Sequence, residues 1–350
     1  VIISSPPAVP KKWIDVLKGI GIIAVVAGHA YTWENGLILP FIYLFHMPLF
    51  FFLSGYLYKP SPDLAEYFRK KTFHLLVPYA AFLLLLVIVP EIYRFIATQN
   101  FVMYEAKLLI KNAVLGGHRL EGVAAVFWFV TCLFLTQQIF NFLVVRFRQG
   151  MLLPVIALAT ALGFVNSWWY RAAQAPLAAN AVLAALPLFY AGYVFKRHEK
   201  ARWITPLACF IGGLAVVSLK AGLANFYDIK VTVYGIPGVT MVSALGITIA
   251  LIAVAKQLAR VPLAADGLVA LGQASMVIMF VHQTILLRRA DLGSANRVYG
   301  IVLAIAVSYL LYLVFKRFTL SRAFLLGSEA DLRKLLAWLR PGNRAPSLSP

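Results

Sequence analysis

Two ionisable side chains share one apolar stretch near the start of the chain. Lys18 and His29 are separated by ten residues in Lys18-Gly-Ile-Gly-Ile-Ile-Ala-Val-Val-Ala-Gly-His29. In a helix, eleven steps of about 100° come close to three whole turns, so both side chains lie on one face, about 16 Å apart along the axis. Charge in an apolar helix is costly unless it faces a cavity or a partner. An imidazole titrates near neutrality, so it can take or give a proton there. His46 and His282 stand in two further apolar stretches. General acid–base chemistry and a proton relay are what this set allows. Three histidines can also bind zinc, but no two stand at i and i+4 of one helix, so no metal is expected.

The elements that position these residues are set by composition. The chain of 350 residues is 61% hydrophobic and 13% charged, with mean hydropathy +0.82. That is more apolar surface than the core of a soluble domain takes up, and it predicts a multi-pass membrane protein. A net charge of +19 would point to nucleic acid in a soluble chain. Here the basic residues cluster between apolar runs, so the reading is topology and anionic lipid, with no nucleic acid. Cys132 and Cys209 fall inside apolar runs and imply no disulfide framework.

Ten apolar stretches are long enough to be spans: 14–33, 41–58, 73–97, 123–145, 151–167, 177–195, 203–220, 235–256, 267–287 and 298–315. The expected fold is an all-α bundle of about ten transmembrane helices. Of the 32 basic residues, 21 fall on one set of flanking segments and 9 on the other. This bias places both termini in the cytoplasm. The first run reads as a retained helix, not a cleaved signal. The expected organisation is a cytoplasmic segment 1–12, a membrane domain 13–316, a cytoplasmic interfacial helix within 317–340 and a disordered tail 341–350. The interfacial helix opens on Ser328-Glu-Ala-Asp331, a capping pattern, followed by leucines at helical spacing. The connection 98–122 holds an amphipathic piece, Tyr104 to Leu115, read as lying on the membrane surface, and His118, read as solvated.

With this orientation His29, His46 and His282 each stand four or five residues from the outer end of their spans. They are expected in one membrane layer. Glu34, Trp128, Arg171 and Arg288 fall at or just above it and are candidates for binding a substrate from outside. Asp15, three residues before Lys18, is its expected partner.

These segments resemble the acyltransferase-3 family of integral-membrane O-acyltransferases. Trp13-Ile-Asp15-Val-Leu-Lys18 through Gly28-His29 is similar to that family's first span. Phe45-His46-Met47-Pro48-Leu49-Phe50-Phe51-Phe52-Leu53-Ser54-Gly55 resembles its second, above all in the fucose 4-O-acetylase-like and exopolysaccharide branch. Arg69-Lys70-Lys71 leading to Pro78-Tyr79, Phe127-Trp128-Phe129, Leu186 to Tyr193, and Gly272-Gln-Ala-Ser275 through His282 resemble later motifs.

The resemblance implies transfer of an acyl group, by default acetyl, from cytoplasmic acetyl-CoA to a sugar hydroxyl at the outer face. The acceptor would be a surface or exported glycan, or a lipid-linked oligosaccharide, and the location a bacterial inner membrane. His29 is the expected general base or acyl carrier. Lys18 is expected near the CoA arm and Arg69, Lys70 and Lys71 near its phosphates. His46 and His282 would orient His29, bind acceptor or stabilise the oxyanion. The rival reading is a proton-coupled transporter or glycan exporter, which needs the same intramembrane groups.

Overall fold

The computed structural model describes residues 11–31, 36–99, 103–173, 175–223, 226–288 and 297–338. Its helices in chain order are α1 (Lys12–Ala30), α2 (Ile38–Leu57), α3 (Leu64–Lys71), α4 (Val77–Leu83), α5 (Val89–Thr98), α6 (Met103–Leu115), α7 (Trp128–Arg146), α8 (Gln149–Trp169), α9 (Val182–His198), α10 (Ile204–Lys220), α11 (Val239–Leu258), α12 (Pro262–Gln273), α13 (Ser275–Leu287), α14 (Arg297–Phe315), α15 (Thr319–Phe324) and α16 (Glu329–Trp338). The fold is all-helical. Among the described residues the only β feature is a single bridge between Asp228 and Val233. Every expected span holds a helix among its described residues. Eight helical stretches are long and apolar enough to cross a membrane. α10 is shorter, and 262–287 is broken at Ala274 into α12 and α13.

The chain divides into two compact units: Val1–Tyr58 with Pro187–Ser275, and Lys59–Leu186 with Met276–Pro350. In the first unit, small residues set how close the helices come. α1 and α2 run antiparallel, with Gly21 against Leu49 and Phe50 and Gly28 against Ile42 and Tyr43. α12 lies across α1 through a reciprocal contact: Gly19 meets the Leu268 backbone and Gly272 meets the Asp15 carbonyl. α2 and α9 repeat the device, Gly55 on the Phe189 carbonyl and Gly192 on that of Phe52. Lipid tails are as apolar as leucine, so helices in a bilayer associate through such close backbone approach.

One end of this unit is tied by a single carboxylate. Glu199, just past α9, accepts hydrogen bonds from Lys11 (2.9 Å) and Tyr56 (2.6 Å) on Oε2, and Lys256 is 2.9 Å from Oε1. Lys256 also lies over the Trp13 ring, and the Lys196 ammonium donates to the Tyr58 carbonyl at the end of α2. The start of α1 and the ends of α2, α9 and α11 therefore share one end of this unit. Burial by itself would raise the Glu199 carboxyl; the bonds from Tyr56, Lys11 and Lys256 outweigh it and hold the group at about 2.

In the second unit the helix begins at Leu64, earlier than expected. Asp63 caps it, accepting from the Glu66 N–H at 2.9 Å, so Arg69-Lys70-Lys71 is a helical turn and not a loop. The helix reaches Thr98 through two π-helical turns, Thr72–Leu76 and Leu84–Ile88. Pro78 and Pro90 follow them directly, and the widened turns absorb the missing N–H and the ring of each proline. The segment expected on the membrane surface runs back beside this helix instead. Arg94 binds both Glu91 (2.8 Å) and Glu105 (2.7 Å) at the start of α6, and α6 ends at Gly116, against the Tyr79 hydroxyl. His118, expected in solvent, is 7% exposed. Its turn packs on Leu177 and Ala178, because irregular backbone amid apolar helices persists only where protein covers it.

This unit has its own gathered end. Asn141 and the Ser61 backbone exchange two hydrogen bonds of 3.0 Å, and His74 bonds the Gly327 carbonyl at 2.9 Å. α16 carries the expected cap, the Asp331 N–H donating to Ser328 Oγ at 3.3 Å. A forked pair from Arg322 to Asp331 fixes it to α15. The calls on residues 1–10 and 339–350 lie outside the described residues.

Adding a methyl at Gly19, Gly55, Gly192 or Gly272 forces backbones apart. Each Gly→Ala variant is expected to lose about 1–3 kcal/mol, while Gly213→Ala, which meets nothing within 4 Å, holds or gains stability. Thermal unfolding of the purified variants in one detergent checks this. Glu199→Gln should lower the unfolding midpoint by several degrees at neutral pH. Because the folded carboxyl sits at about 2 and its ordinary value is 4.5, the gap to wild type should persist down to about pH 5. It should shrink as pH falls from 4.5 towards 2. A gap independent of pH contradicts the ionic role.

Candidate active site

The face that opened the sequence reading is present on α1. Lys18 pairs with Asp15 at 3.0 Å, as expected, and both are part-buried. The α12 contact brackets this pair, since Gly272 sits on the Asp15 carbonyl and Leu268 on Gly19. The motif at Gly272-Gln-Ala-Ser275 thus abuts the opening of the first span.

At the other end of α1, the register with α2 places His29 and His46 on adjoining helices. The pairing of Gly21 with Leu49 and Phe50, and of Gly28 with Ile42 and Tyr43, puts His46 opposite residues 24–25. It lies about one helical turn, roughly 7 Å along the axis, from the level of His29. The two histidines expected in one layer are therefore stepped. Tyr43 joins them. Its ring reaches 3.6 Å from where a Cβ on Gly28 would stand and meets the His46 ring edge-on at 4.8 Å.

The tautomer of His46 is set by its own helix. Nδ1 lies 2.9 Å from the Ile42 carbonyl, and a carbonyl only accepts, so Nδ1 carries the proton and neutral His46 has its lone pair on Nε2. His282 in α13 repeats this one turn back along its helix, with Nδ1 2.8 Å from the Ile278 carbonyl, and it is fully buried. Both imidazoles are thus oriented to accept a proton, or an acyl group, at Nε2. His282 belongs to the second unit.

The remaining expected residues are spread more widely. Trp128 opens α7 in the second unit and is buried, edge-on to Phe129. Arg171 is exposed after α8, and Arg288 is exposed at the end of α13. Glu34 lies outside the described residues. Arg69, Lys70 and Lys71 stand together on α3, where Lys70 pairs with Glu66 (2.7 Å), Arg69 approaches Glu329 (4.0 Å) and Lys71 lies over the Tyr67 ring.

Two residues went unnoticed in the sequence. Tyr43 stands three positions before His46, on the same helical face. Glu199 is the one carboxylate in the basic run Lys196-Arg-His-Glu-Lys-Ala-Arg202, which is the signal that could have marked it.

The sequence model described as acyltransferase domain, of the acyltransferase-3 family, matches residues 11–324. This span includes every histidine and lysine of the α1 and α2 faces. No curated protein and no solved structure matches the chain. The match covers most of the chain, and the protein belongs to the acyltransferase-3 family: it is a multi-pass membrane acyltransferase.

Proposed function

We propose that the protein moves an acetyl group from acetyl-CoA, bound from the cytoplasm, to a sugar hydroxyl of a surface or exported glycan at the outer face of a bacterial inner membrane. The observation that carries this reading is the pair of histidine-bearing turns on α1 and α2. They stand one turn apart, with Tyr43 between them and with the Nε2 lone pair of His46 fixed by the Ile42 carbonyl. Nothing in proton pumping alone requires two imidazoles stepped by one turn, whereas transfer between a thioester and an alcohol uses two functions. One group takes the hydroxyl proton, and another stabilises the oxyanion or receives the acyl group.

In this mechanism His29 takes the proton as the sugar oxygen attacks the thioester carbon. The carbon–sulfur bond breaks, and the proton returns to the leaving thiolate to give CoA. An acyl-histidine route reaches the same products in two steps, with the imidazole attacking first. His46 and His282 orient the acceptor or hold the oxyanion. Lys18, pinned between Asp15 and the α12 crossing, serves the CoA arm. Arg69, Lys70 and Lys71 serve its phosphates. The Lys70–Glu66 pair is exposed and worth about 0–1 kcal/mol, so a phosphate can displace it. Trp128, Arg171, Arg288 and Glu34 are assigned to the acceptor, and the basic inner flanks to anionic lipid.

Purified wild type should release CoA from acetyl-CoA only when glycan is added. His29→Ala should lower turnover by about 10²–10⁴-fold while keeping its unfolding midpoint and its affinity for acetyl-CoA, and His46→Ala should lose activity to a lesser degree. Wild-type rates in both variants would remove the histidines from the chemistry. Folded wild type that neither binds nor consumes acetyl-CoA would overturn the donor assignment.

A further inference from the structure

The helix that runs from Leu64 to Thr98 is 35 residues long, and Tyr79 lies near its midpoint. The Tyr79 side chain is 8% exposed, and its hydroxyl has no hydrogen-bond partner among the described residues. Burying a hydroxyl without a partner is costly. In native structures such groups are rare and accompany a ligand, an ordered water or catalysis.

The surroundings of this hydroxyl are built. The Tyr79 ring meets that of Phe127, just ahead of α7, edge-on at 5.6 Å. The hydroxyl stands 2.9 Å from where a Cβ on Gly116, just past α6, would be, and the Leu177 side chain is 3.2 Å from the same point. One helix therefore ends and another begins at the level of Tyr79. Gly116, Gly117, Leu177 and Ala178 hold φ values between 57° and 61°, and Gly117 packs on the Ala178 backbone. Left-handed backbone at Leu177 and Ala178 is costly and persists only where the surroundings impose it.

The distance and phase from the basic turn of α3 to this hydroxyl are also fixed. Tyr79 is eight residues beyond Lys71 and ten beyond Arg69, about 12 and 15 Å along the axis. The π turn Thr72–Leu76 lies between. A π turn takes about one residue more than the 3.6 or so of an α turn, so the eight residues complete two turns and return Tyr79 to the face of Lys71. An unbroken α-helix would carry it about 80° past.

The complement of a buried O–H among apolar side chains is an acceptor oxygen. A CoA thioester with its phosphates on Arg69-Lys70-Lys71 carries its carbonyl at the end of a pantetheine arm. The arm has three linked units, each about one bond longer than an extended residue of about 3.5 Å, and so reaches about 14 Å. We infer that the Tyr79 hydroxyl is a catalytic residue that donates to the carbonyl oxygen of the acyl group and stabilises the oxyanion formed in transfer; this rests on the donor reading given above. As the acceptor oxygen bonds to the carbonyl carbon, the C=O electron pair moves onto oxygen, where the Tyr79 O–H holds it. The pair returns as the carbon–sulfur bond breaks, and the thiolate leaves with the electrons of that bond. Tyr79 keeps its proton. A donor fixed in advance in an apolar site acts most strongly on the developing charge.

Tyr79→Phe in nanodiscs removes the hydroxyl and keeps the ring. Its unfolding midpoint should equal or exceed that of wild type, because the hydroxyl has no partner to lose. With acetyl-CoA and glycan its kcat should fall about 10²–10³-fold, while the KM for acetyl-CoA changes far less. A ketone analogue of acetyl-CoA, with a methylene in place of the thioester sulfur and an isotopically labelled carbonyl carbon, gives an NMR reading that needs no acceptor. Its carbonyl resonance should move downfield on wild type and return towards its free position on Tyr79→Phe. Wild-type kcat or an unaltered carbonyl resonance in Tyr79→Phe would overturn the assignment, and a lowered midpoint would give the hydroxyl a structural role in its place. Wild type that binds neither acetyl-CoA nor the analogue would overturn the donor reading, and this role of Tyr79 with it.

Discussion

A Cβ on Gly19 would collide with the Leu268 carbonyl, and one on Gly272 with that of Asp15; Gly55 and Gly192 stand in the same relation to Phe189 and Phe52. Where lipid gives helices no hydrophobic reason to associate, these contacts between backbones decide which helices touch and at what level. The levels then decide the chemistry. With α12 seated on α1, the Lys18–Asp15 pair is enclosed on its flank. With α2 locked to α9 and aligned on α1 through Gly21 and Gly28, His46 and His29 differ by one turn and Tyr43 falls between them. A slip of one residue in either pair would rotate an imidazole by about 100° out of this arrangement.

The two ends of the first unit differ in chemistry. At one end Glu199 gathers Lys11, Tyr56 and Lys256, a cationic face with one carboxylate at its centre. At the other, the 226–234 hairpin brings Phe226 to Tyr43. The histidines lie towards the second end, and Lys18 towards the first.

Much of this was legible in the residues, for identifiable reasons. Span positions follow from apolar length alone, and each of the ten stretches holds a helix among its described residues. The Lys18–Asp15 pair follows from i, i+3 spacing. What stayed hidden depends on contacts between distant segments. Prolines 78 and 90 fall inside the third expected span, and what carries the helix through them, a π turn ahead of each, has no mark in the sequence. The helix after Thr98 read as a surface piece because amphipathicity does not say what its apolar side covers, and Arg94 with Glu105 turns it back. His118 read as solvated because it falls in a connection between spans, whereas Leu177 and Ala178 cover its turn. Depth counted from helix ends missed the step between His29 and His46, since it is set by the glycine register and not by length.

Transfer across the membrane through the first unit is the central claim, and sealed proteoliposomes of uniform orientation test it most directly. Radiolabelled acetyl-CoA is supplied on the side of the Glu199 face and glycan on the opposite side, and label on the glycan is counted. The account predicts label in that arrangement, in step with CoA release, and none when donor and acceptor are exchanged between sides. Equal labelling in both arrangements, or CoA release with no label on the glycan, would contradict it.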